Sequence, residues 1–190
     1  MKSAAFIALA ALMAAPACAA NVESSSRTAS DRSRTMVHSV VIDAPVREVW
    51  GALTTPEGWQ RWAVPIAWQT SRRPRIIETS YDLKARPGDP QTIRQLFVRE
   101  VPYRLLEYRT IKAPRGFADF ETYTRVVNRV ELTPMGRKKT RLTASSGPFP
   151  DTDAGRKFYG FFIEGNGKTF ENMADVLGGH QPSRFAKGED

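Results

Sequence analysis

The sequence predicts a single α+β domain in the order β-α-α, then about six β-strands, then one long helix. Three observations support this order. A β-branched segment at residues 36–43 is followed by two short helical patterns. Apolar and polar residues then alternate from residue 64 onward, and helical spacing returns over residues 151–177. No internal repeat divides the stretch between residues 36 and 178, so one domain accounts for it.

The first part of this domain has clear start signals for its helices. Residues 36–43 (MVHSVVID) favour a strand because they are rich in β-branched side chains. Pro45 stands where a helix would begin, and four apolar residues follow at i, i+3, i+4 and i+7: Val46, Val49, Trp50 and Leu53. Thr55 and Pro56 repeat the cap and proline, which predicts a second short helix carrying Trp59 and Trp62.

The middle of the domain predicts strands. Its alternating residues are Val64, Ile66 and Trp68; Ile77, Thr79, Tyr81 and Leu83; Leu96 and Val98; and Leu106 and Tyr108. Turn signals separate them at residues 73–74, 87–90 and 101–102. A long strand over residues 119–133 is expected to pair with one over residues 139–146. In the last helix, seven apolar residues lie near one face: Phe158, Phe161, Phe162, Phe170, Met173, Val176 and Leu177.

Composition restricts the chemistry. The 190 residues include 41% hydrophobic and 25% charged residues, as in an ordinary globular protein. One Cys cannot form an internal disulfide, and two His with one Cys cannot build a His/Cys zinc cluster. The sequence has no serine elbow, phosphate-binding glycine loop or metal-ligand spacing. We therefore assign no catalytic residue, no metal and no cofactor.

The first twenty residues predict a signal peptide. Lys2 precedes a short apolar run, which small residues follow as at a cleavage site. This predicts a periplasmic or secreted protein cleaved after Ala19 or Ala20. The alternative is a lipoprotein anchored through an acylated Cys18. Residues 21–35 contain few apolar side chains and are expected to form a flexible linker, followed by the domain at 36–178 and a tail at 179–190.

The run VVIDAPVREVWGALTTPEGWQRW at residues 40–62 resembles the opening of START-like (SRPBCC) proteins, in particular the Hsp90-ATPase-activator and polyketide-cyclase branches. The residues that carry this resemblance are Ile42, Ala44, Pro45, Val49, Trp50, Leu53, Pro56 and Trp62. It implies the helix-grip fold, a curved antiparallel sheet around the C-terminal helix. A cavity for an apolar or amphipathic small molecule would lie between them. The resemblance does not imply an activity, because this scaffold serves carriers, enzymes and co-chaperones.

The last helix contains Gly160, Gly165 and Gly167, each costing up to about 1 kcal/mol relative to alanine. We expect the helix to bend or thin near residues 165–167, which would add pocket volume; the alternative is close packing of helix on sheet. On the predicted strand at 119–133, alternation turns Asn128 inward. It would orient a ligand or bond within the protein. The candidate ligand-binding residues are Trp68, Tyr81, Tyr108, Asn128, Phe158, Phe161 and Phe162.

Acid–base candidates are few. Alternation with Val37 and Val41 would leave His38 facing solvent, and His180 belongs to the tail. Asp119 and Glu121 have same-face strand spacing, which is more typical of a solvated strand end than of a catalytic carboxylate pair.

The chain is basic, with a formal net charge of +8. Its cations cluster at two predicted turns: Arg72, Arg73 and Arg75, and Arg137, Lys138, Lys139 and Arg141. We interpret these clusters as solvated hairpin tips, with peripheral contact to an anionic membrane surface as the alternative. Because the leader predicts export, we expect no nucleic-acid partner.

Three functions remain open for this sequence. The first is an exported, monomeric carrier or sensor that binds an apolar or amphipathic molecule such as a lipid. The second is a polyketide-cyclase-type enzyme that uses the same cavity. The third is an interaction module like the Hsp90 activators, although their ATPase partner is cytosolic.

Overall fold

The computed structural model describes residues 21–181. The predicted signal peptide, Cys18 and residues 182–190 of the tail lie outside them. The strands are β1 (Glu23–Thr28), β2 (Arg34–Ile42), β3 (Ile66–Arg72), β4 (Arg75–Ser80), β5 (Ile93–Val101), β6 (Leu105–Lys112), β7 (Val127–Pro134) and β8 (Thr140–Phe149). The helices are α1 (Val46–Thr54), α2 (Pro56–Trp62), α3 (Phe120–Thr124) and α4 (Asp153–Leu177).

All eight strands form one antiparallel sheet in the order β1-β2-β8-β7-β6-β5-β4-β3. The curved sheet encloses α4, so the predicted α+β helix-grip fold is confirmed. The main core lies where α1, α2 and the C-terminal half of α4 meet the inner face of the sheet, around Val49, Trp62, Leu142 and Met173. No helix within residues 21–181 is both long enough and apolar enough to cross a bilayer.

The antiparallel order gives the sheet two distinct edges at the strand ends. At one, the turn edge, three tight hairpin turns join β3 to β4, β5 to β6 and β7 to β8. At the opposite one, the loop edge, longer connections at residues 81–92 and 113–126 join β4 to β5 and β6 to β7. The two edges differ in chemistry, because the loop edge opens into the interior and the turn edge is strongly basic.

The expected flexible linker at residues 21–35 is wrong over most of its length. Residues 23–28 form β1, which pairs with β2 from Glu23 opposite Ser39 to Thr28 opposite Arg34. Every residue of β1 is solvent-exposed. Main-chain hydrogen bonds to β2 therefore hold this strand in place. Such bonds do not depend on the burial of apolar side chains, so the polar sequence of β1 is compatible with a strand.

The predicted long strand over residues 119–133 is also wrong in its first half. Residues 120–124 form the short helix α3, and the strand β7 begins only at Val127. The reason is a tertiary contact, since α3 places the ring of Tyr123 4.8 Å from that of Phe162 on α4. Asp119 and Glu121 therefore do not share a strand face, and Glu121 pairs instead with Arg125 at 2.7 Å.

His38 does not face solvent as predicted. It is 1% exposed and lies on the inner face of β2 with Met36, Val40 and Ile42. The alternation was therefore read in the wrong phase: residues 36, 38, 40 and 42 form the inner face, whereas on the outer face Val41 is 37% exposed, although Val37 is buried there.

Candidate ligand-binding site

A cavity of about 330 Å³ lies between the inner face of the sheet and α4, with α2 along one side. Its outer limit is formed by residues of the loop edge, including Tyr81, Ile93 and Phe117. Tyr81 is 68% exposed, and Phe161 on α4 is 71% exposed. The mouth of the cavity therefore lies at the loop edge, between these two aromatic side chains.

Two tryptophans of α2 form the inner end of the cavity. Trp59 Nε1 donates to the carbonyl of Leu53 at 2.8 Å, and Trp62 Nε1 donates to that of Ala52 at 2.9 Å. Trp59 contacts Tyr108 edge-on, with ring centroids 6.0 Å apart. Since both indole N–H groups are satisfied inside the protein, the rings present only apolar surface to the cavity.

Aromatic rings from α3, from the loop before it and from α4 form a cluster near the mouth, in which Phe117, Tyr123 and Phe162 line the cavity. Tyr123 stacks on Phe162, and Phe117 stacks on Phe158 with centroids 5.5 Å apart. Phe158 also lies 5.5 Å from Tyr123. This cluster makes the cavity wall near the mouth aromatic.

Polar groups on the sheet face the same space. Ser146 Oγ donates to Asn128 Oδ1 at 2.7 Å, and Thr110 Oγ1 donates to Gln95 Oε1 at 2.9 Å. The Asn128 oxygen is thus occupied within the protein. The Nδ2 group of Asn128 donates no hydrogen bond to any residue in the range 21–181. This donor is therefore free to bind a guest in the cavity.

The tyrosine hydroxyls of the cavity are held in their neutral form. Burial raises the pKa of Tyr108 far above its ordinary value, and the neighbouring Tyr123 adds to the effect. Burial also raises the pKa of Tyr123, and the charge of Tyr81 acts in the same direction. These phenols therefore offer hydrogen bonds to a ligand and remain protonated well above neutral pH.

Every residue that lines the cavity in the described part of the chain is uncharged at neutral pH. A charged guest would lose its hydration without gaining a counter-ion, at a cost of several kcal/mol. The lining therefore favours a neutral molecule with a mainly apolar body and a few polar groups. Within residues 21–181, no three His, Cys, Asp or Glu side chains lie close enough together to share a metal ion.

The loop at residues 81–92, which we call the mouth loop, is held to the sheet by Glu78. The side chain of Glu78 is fully buried but does not line the cavity. Its carboxylate accepts hydrogen bonds from Gly88 N at 2.7 Å, from Thr92 Oγ1, and from Arg94 Nε at 3.0 Å. Burial by itself would raise the pKa of Glu78, but these donors outweigh it and hold the pKa below its usual value. The network ties the loop at residues 81–92 to the sheet, so it positions Tyr81 at the mouth.

Five of the seven residues expected to contact a ligand lie on the cavity wall: Tyr81, Tyr108, Asn128, Phe161 and Phe162. Trp68 does not. It is paired with Glu78, whereas its neighbour Ala67 is paired with the cavity residue Thr79, so Trp68 faces the other side of the sheet. Phe158 lies behind the wall, against Phe117.

Several wall residues were not predicted from the sequence: Gln95, Thr110, Tyr123 and Asn166. The alternation at Leu96 and Val98 predicted that these two residues face inward. In the structure the inner face of β5 carries Gln95 and Phe97, which are buried, whereas Val98 is 46% exposed. An inward-facing glutamine gives no hydrophobic signal. Tyr123 lies in the segment whose helix was mistaken for a strand.

Two roles were considered for the glycines of α4, a bend or thinning that adds pocket volume and close packing of the helix on the sheet. α4 runs without interruption from Asp153 to Leu177. Gly167 is buried, and a Cβ there would lie 3.7 Å from Ser24 Oγ and 3.9 Å from the His38 ring, which indicates close packing on the sheet. Gly165 is exposed, and a Cβ there would meet no atom within 4 Å. It lies one turn from both Phe161 and Thr169, beside the mouth.

Comparisons with known proteins agree with this architecture. A family model described as polyketide cyclase/dehydrase and lipid transport matches residues 33–175. A protein of Arthrobacter aurescens has a similar fold, with a TM-score of 0.60 and 17% identity over 87% of this chain and 96% of that chain. CalU16 from Micromonospora echinospora has a TM-score of 0.57 and 19% identity over 88% of this chain and 80% of that one.

A third similar structure is protein MLL2253 from Mesorhizobium loti, with a TM-score of 0.54 and 22% identity over 78% of this chain and 99% of that chain. At these identities the likeness establishes a shared fold. A search of curated proteins returns no significant match.

Proposed function

Because the chain belongs to the polyketide cyclase/dehydrase and lipid transport family of START-like (SRPBCC) helix-grip proteins, we propose that it is a carrier or sensor for a small, neutral, largely apolar molecule. The observation that carries this proposal is the cavity of about 330 Å³ with an uncharged lining. Its volume lies within the range of protein sites for small molecules. Aromatic walls suit a flat guest, and Asn128 with the tyrosine hydroxyls suits its polar groups.

A second candidate is a cyclase-type enzyme that uses the same cavity. The family description, which names cyclases and dehydrases, favours it. In such an enzyme Asn128 and Tyr81 would position a reactive intermediate by hydrogen bonding. The uncharged lining favours binding over acid–base chemistry, because efficient proton transfer at neutral pH requires a group whose pKa lies near 7.

Export to the periplasm or the cell exterior is a further part of the proposal, and it rests on the leader pattern at residues 1–20. The protein is proposed to act there as a monomer, either free or anchored through Cys18. The mass of the mature N-terminus distinguishes the two forms, since an acylated Cys18 would contradict simple cleavage.

Fluorescence titration with the neutral aromatic probe N-phenyl-1-naphthylamine tests the cavity. The wild-type chain is expected to bind the probe with enhanced emission. Gly165→Leu places a side chain beside Phe161 and Thr169 at the mouth and should weaken binding at least several-fold. Gly160→Leu is the matched control. Neither glycine lines the cavity and both have open space around them, but the residues one helical turn from Gly160 do not line the cavity, whereas Phe161 and Thr169, one turn from Gly165, do.

Equal probe binding by wild type and Gly165→Leu, or equal losses in both glycine variants, would contradict the cavity assignment. Native mass spectrometry of the protein purified from its own host then separates the two functions. A co-purified neutral molecule recovered unchanged supports a carrier, whereas turnover of an added polyketide supports the enzyme.

A further inference from the structure

The excess positive charge of the chain is concentrated at the turn edge of the sheet. The three turns with their flanking strand ends comprise residues 72–75, 101–105 and 134–140 and contain seven cations and no acidic residue. They are Arg72, Arg73, Arg75, Arg104, Arg137, Lys138 and Lys139. We call this set the basic rim; the formal net charge of the whole chain is +8.

Most of these cations are not neutralised by the protein. Arg75 pairs with Glu100 at 3.4 Å and Lys139 with Asp43 at 2.8 Å. Within the described part of the chain, the other five have no carboxylate at ion-pair distance. Arg72, Arg73, Arg104, Arg137 and Lys138 are also exposed. The basic rim therefore presents at least five free charges to a partner.

The three turns form a row. In the sheet order β8-β7-β6-β5-β4-β3, two strand spacings separate one hairpin from the next, so successive turns lie about 10 Å apart. The row is thus about 20 Å long. Its cations all project from one end of the domain, which suits an extended anionic surface better than a single small anion.

Two of the turns also carry an exposed apolar side chain. Met135 is 42% exposed in the β7–β8 turn, beside Arg137 and Lys138, and Gly136 allows this turn its positive φ of 83°. Tyr103 is 37% exposed in the β5–β6 turn, beside Arg104, with part of its ring against Trp50 and Arg47. Apolar side chains flanked by Lys and Arg are typical of lipid interfaces, where the apolar part enters the headgroup layer and the cations contact phosphates.

We propose that the basic rim docks the protein on an anionic phospholipid surface, with the cavity mouth directed away from the bilayer. The orientation follows from the topology, because the rim and the mouth occupy opposite edges of the sheet. A guest would then be exchanged with the aqueous phase or with a soluble partner, and not drawn directly from the membrane. Charge complementarity and the apolar tips select lipid over a soluble polyanion.

Co-sedimentation with lipid vesicles tests this proposal, using the full chain with Cys18→Ser so that no acyl group contributes. Binding is expected to vesicles of phosphatidylcholine mixed with phosphatidylglycerol, and not to phosphatidylcholine alone. Each cation near an anionic bilayer contributes about fivefold to partitioning. The double variant Arg137→Gln/Lys138→Gln should therefore bind roughly twenty-five-fold more weakly.

Lys84→Gln/Arg86→Gln is the matched control, because it removes the same charge from exposed positions at the loop edge. This variant should bind like the wild type, as should Phe161→Ser at the mouth. The proposal is overturned if the two double variants lose binding equally, if Phe161→Ser abolishes it, or if mixed vesicles are not bound at all. None of these outcomes bears on probe binding by the cavity.

Met135→Ser separates lipid from a soluble polyanion. The variant should bind mixed vesicles several-fold more weakly than the wild type. Its affinity for inorganic polyphosphate, which would bind to the basic rim, should be unchanged. A rim that binds polyphosphate more tightly than vesicles, with no effect of Met135→Ser on either, would overturn the lipid proposal.

Discussion

Ser24 Oγ lies 2.9 Å from Nδ1 of His38, and this contact fastens the polar edge strand β1 to the inner face of β2. The His38 ring is 5.8 Å from that of Phe170, and among the described residues its Nε2 has no hydrogen-bond partner although it is buried. A neutral histidine is accommodated at this point, but a charged one would be poorly solvated.

Stability is expected to fall on acidification because of His38. Burial lowers its pKa below 6.5, so the unfolded chain binds a proton before the folded one does. The stability is therefore complete above the unfolded-state pKa and is lost as pH falls through the folded-state value. Urea unfolding between pH 7.5 and pH 5 should show this decline.

His38→Leu is the informative variant, since it removes the titration and keeps an apolar side chain. Its unfolding free energy should depend less on pH over the same interval than that of the wild type. Parallel pH profiles for the two proteins would show that another group is responsible.

Replacing Glu78 by glutamine is expected to destabilise the fold by roughly 2–3 kcal/mol, because a fully buried carboxylate with three donors is lost. Chemical denaturation measures the change. Glu121→Gln serves as control, since its pair with Arg125 is highly exposed; it should cost less than about 0.5 kcal/mol. Comparable losses of unfolding free energy in the two variants would contradict the stabilising role of the Glu78 hydrogen bonds at the mouth loop.

Alkaline conditions should weaken the fold through Tyr108. Its raised pKa means that the unfolded chain loses the phenolic proton first, near pH 10, while the folded chain keeps it. Stability is complete below pH 10 and falls above it, by at most about 1.4 kcal/mol per pH unit for this group. Tyr108→Phe should flatten this part of the profile, measured by denaturant unfolding from pH 9 to pH 11. If the unfolding free energy of Tyr108→Phe depends on pH as steeply as that of the wild type, a group other than Tyr108 is responsible for the decline.

Alanine substitution at two glycines of α4 is expected to change the stability of the protein in opposite directions. A Cβ at Gly155 would lie 2.0 Å from the carbonyl oxygen of Pro150, whereas one at Gly160 would meet nothing within 4 Å. Gly155→Ala should therefore destabilise the protein by about 1–3 kcal/mol through overpacking. Gly160→Ala should stabilise it by up to about 1 kcal/mol through helix propensity. Thermal melting compares them, and a shift in the same direction for both would refute the assignment.

Local signals were sufficient for the order of the main elements, although not for β1 and α3. Pro45, Thr55 and Pro56 mark the starts of α1 and α2, where the Thr55 side chain accepts from Gly58 N as an N-cap. The spacing of phenylalanines marks α4. Such signals act within a few residues of chain, so a sequence displays them directly.

Signals that depend on distant partners were missed or misread. The strand β1 has only polar residues to show, because its stability comes from pairing with β2. Trp68 is aromatic and alternates correctly, yet the sheet turns it away from the cavity. Alternation states that two faces differ, and only the packing of α4 decides which face is inner.

The amino-acid order alone predicted one α+β domain and excluded a disulfide within the chain, and the resemblance of residues 40–62 to START-like proteins implied the helix-grip architecture and a cavity for an apolar guest. Three-dimensional packing decided that the interior contains space, that its lining is uncharged, and that the mouth and the basic rim lie at opposite edges. A cavity is a property of many side chains that converge from separate strands and helices. Its existence therefore depends on distances that no local pattern contains.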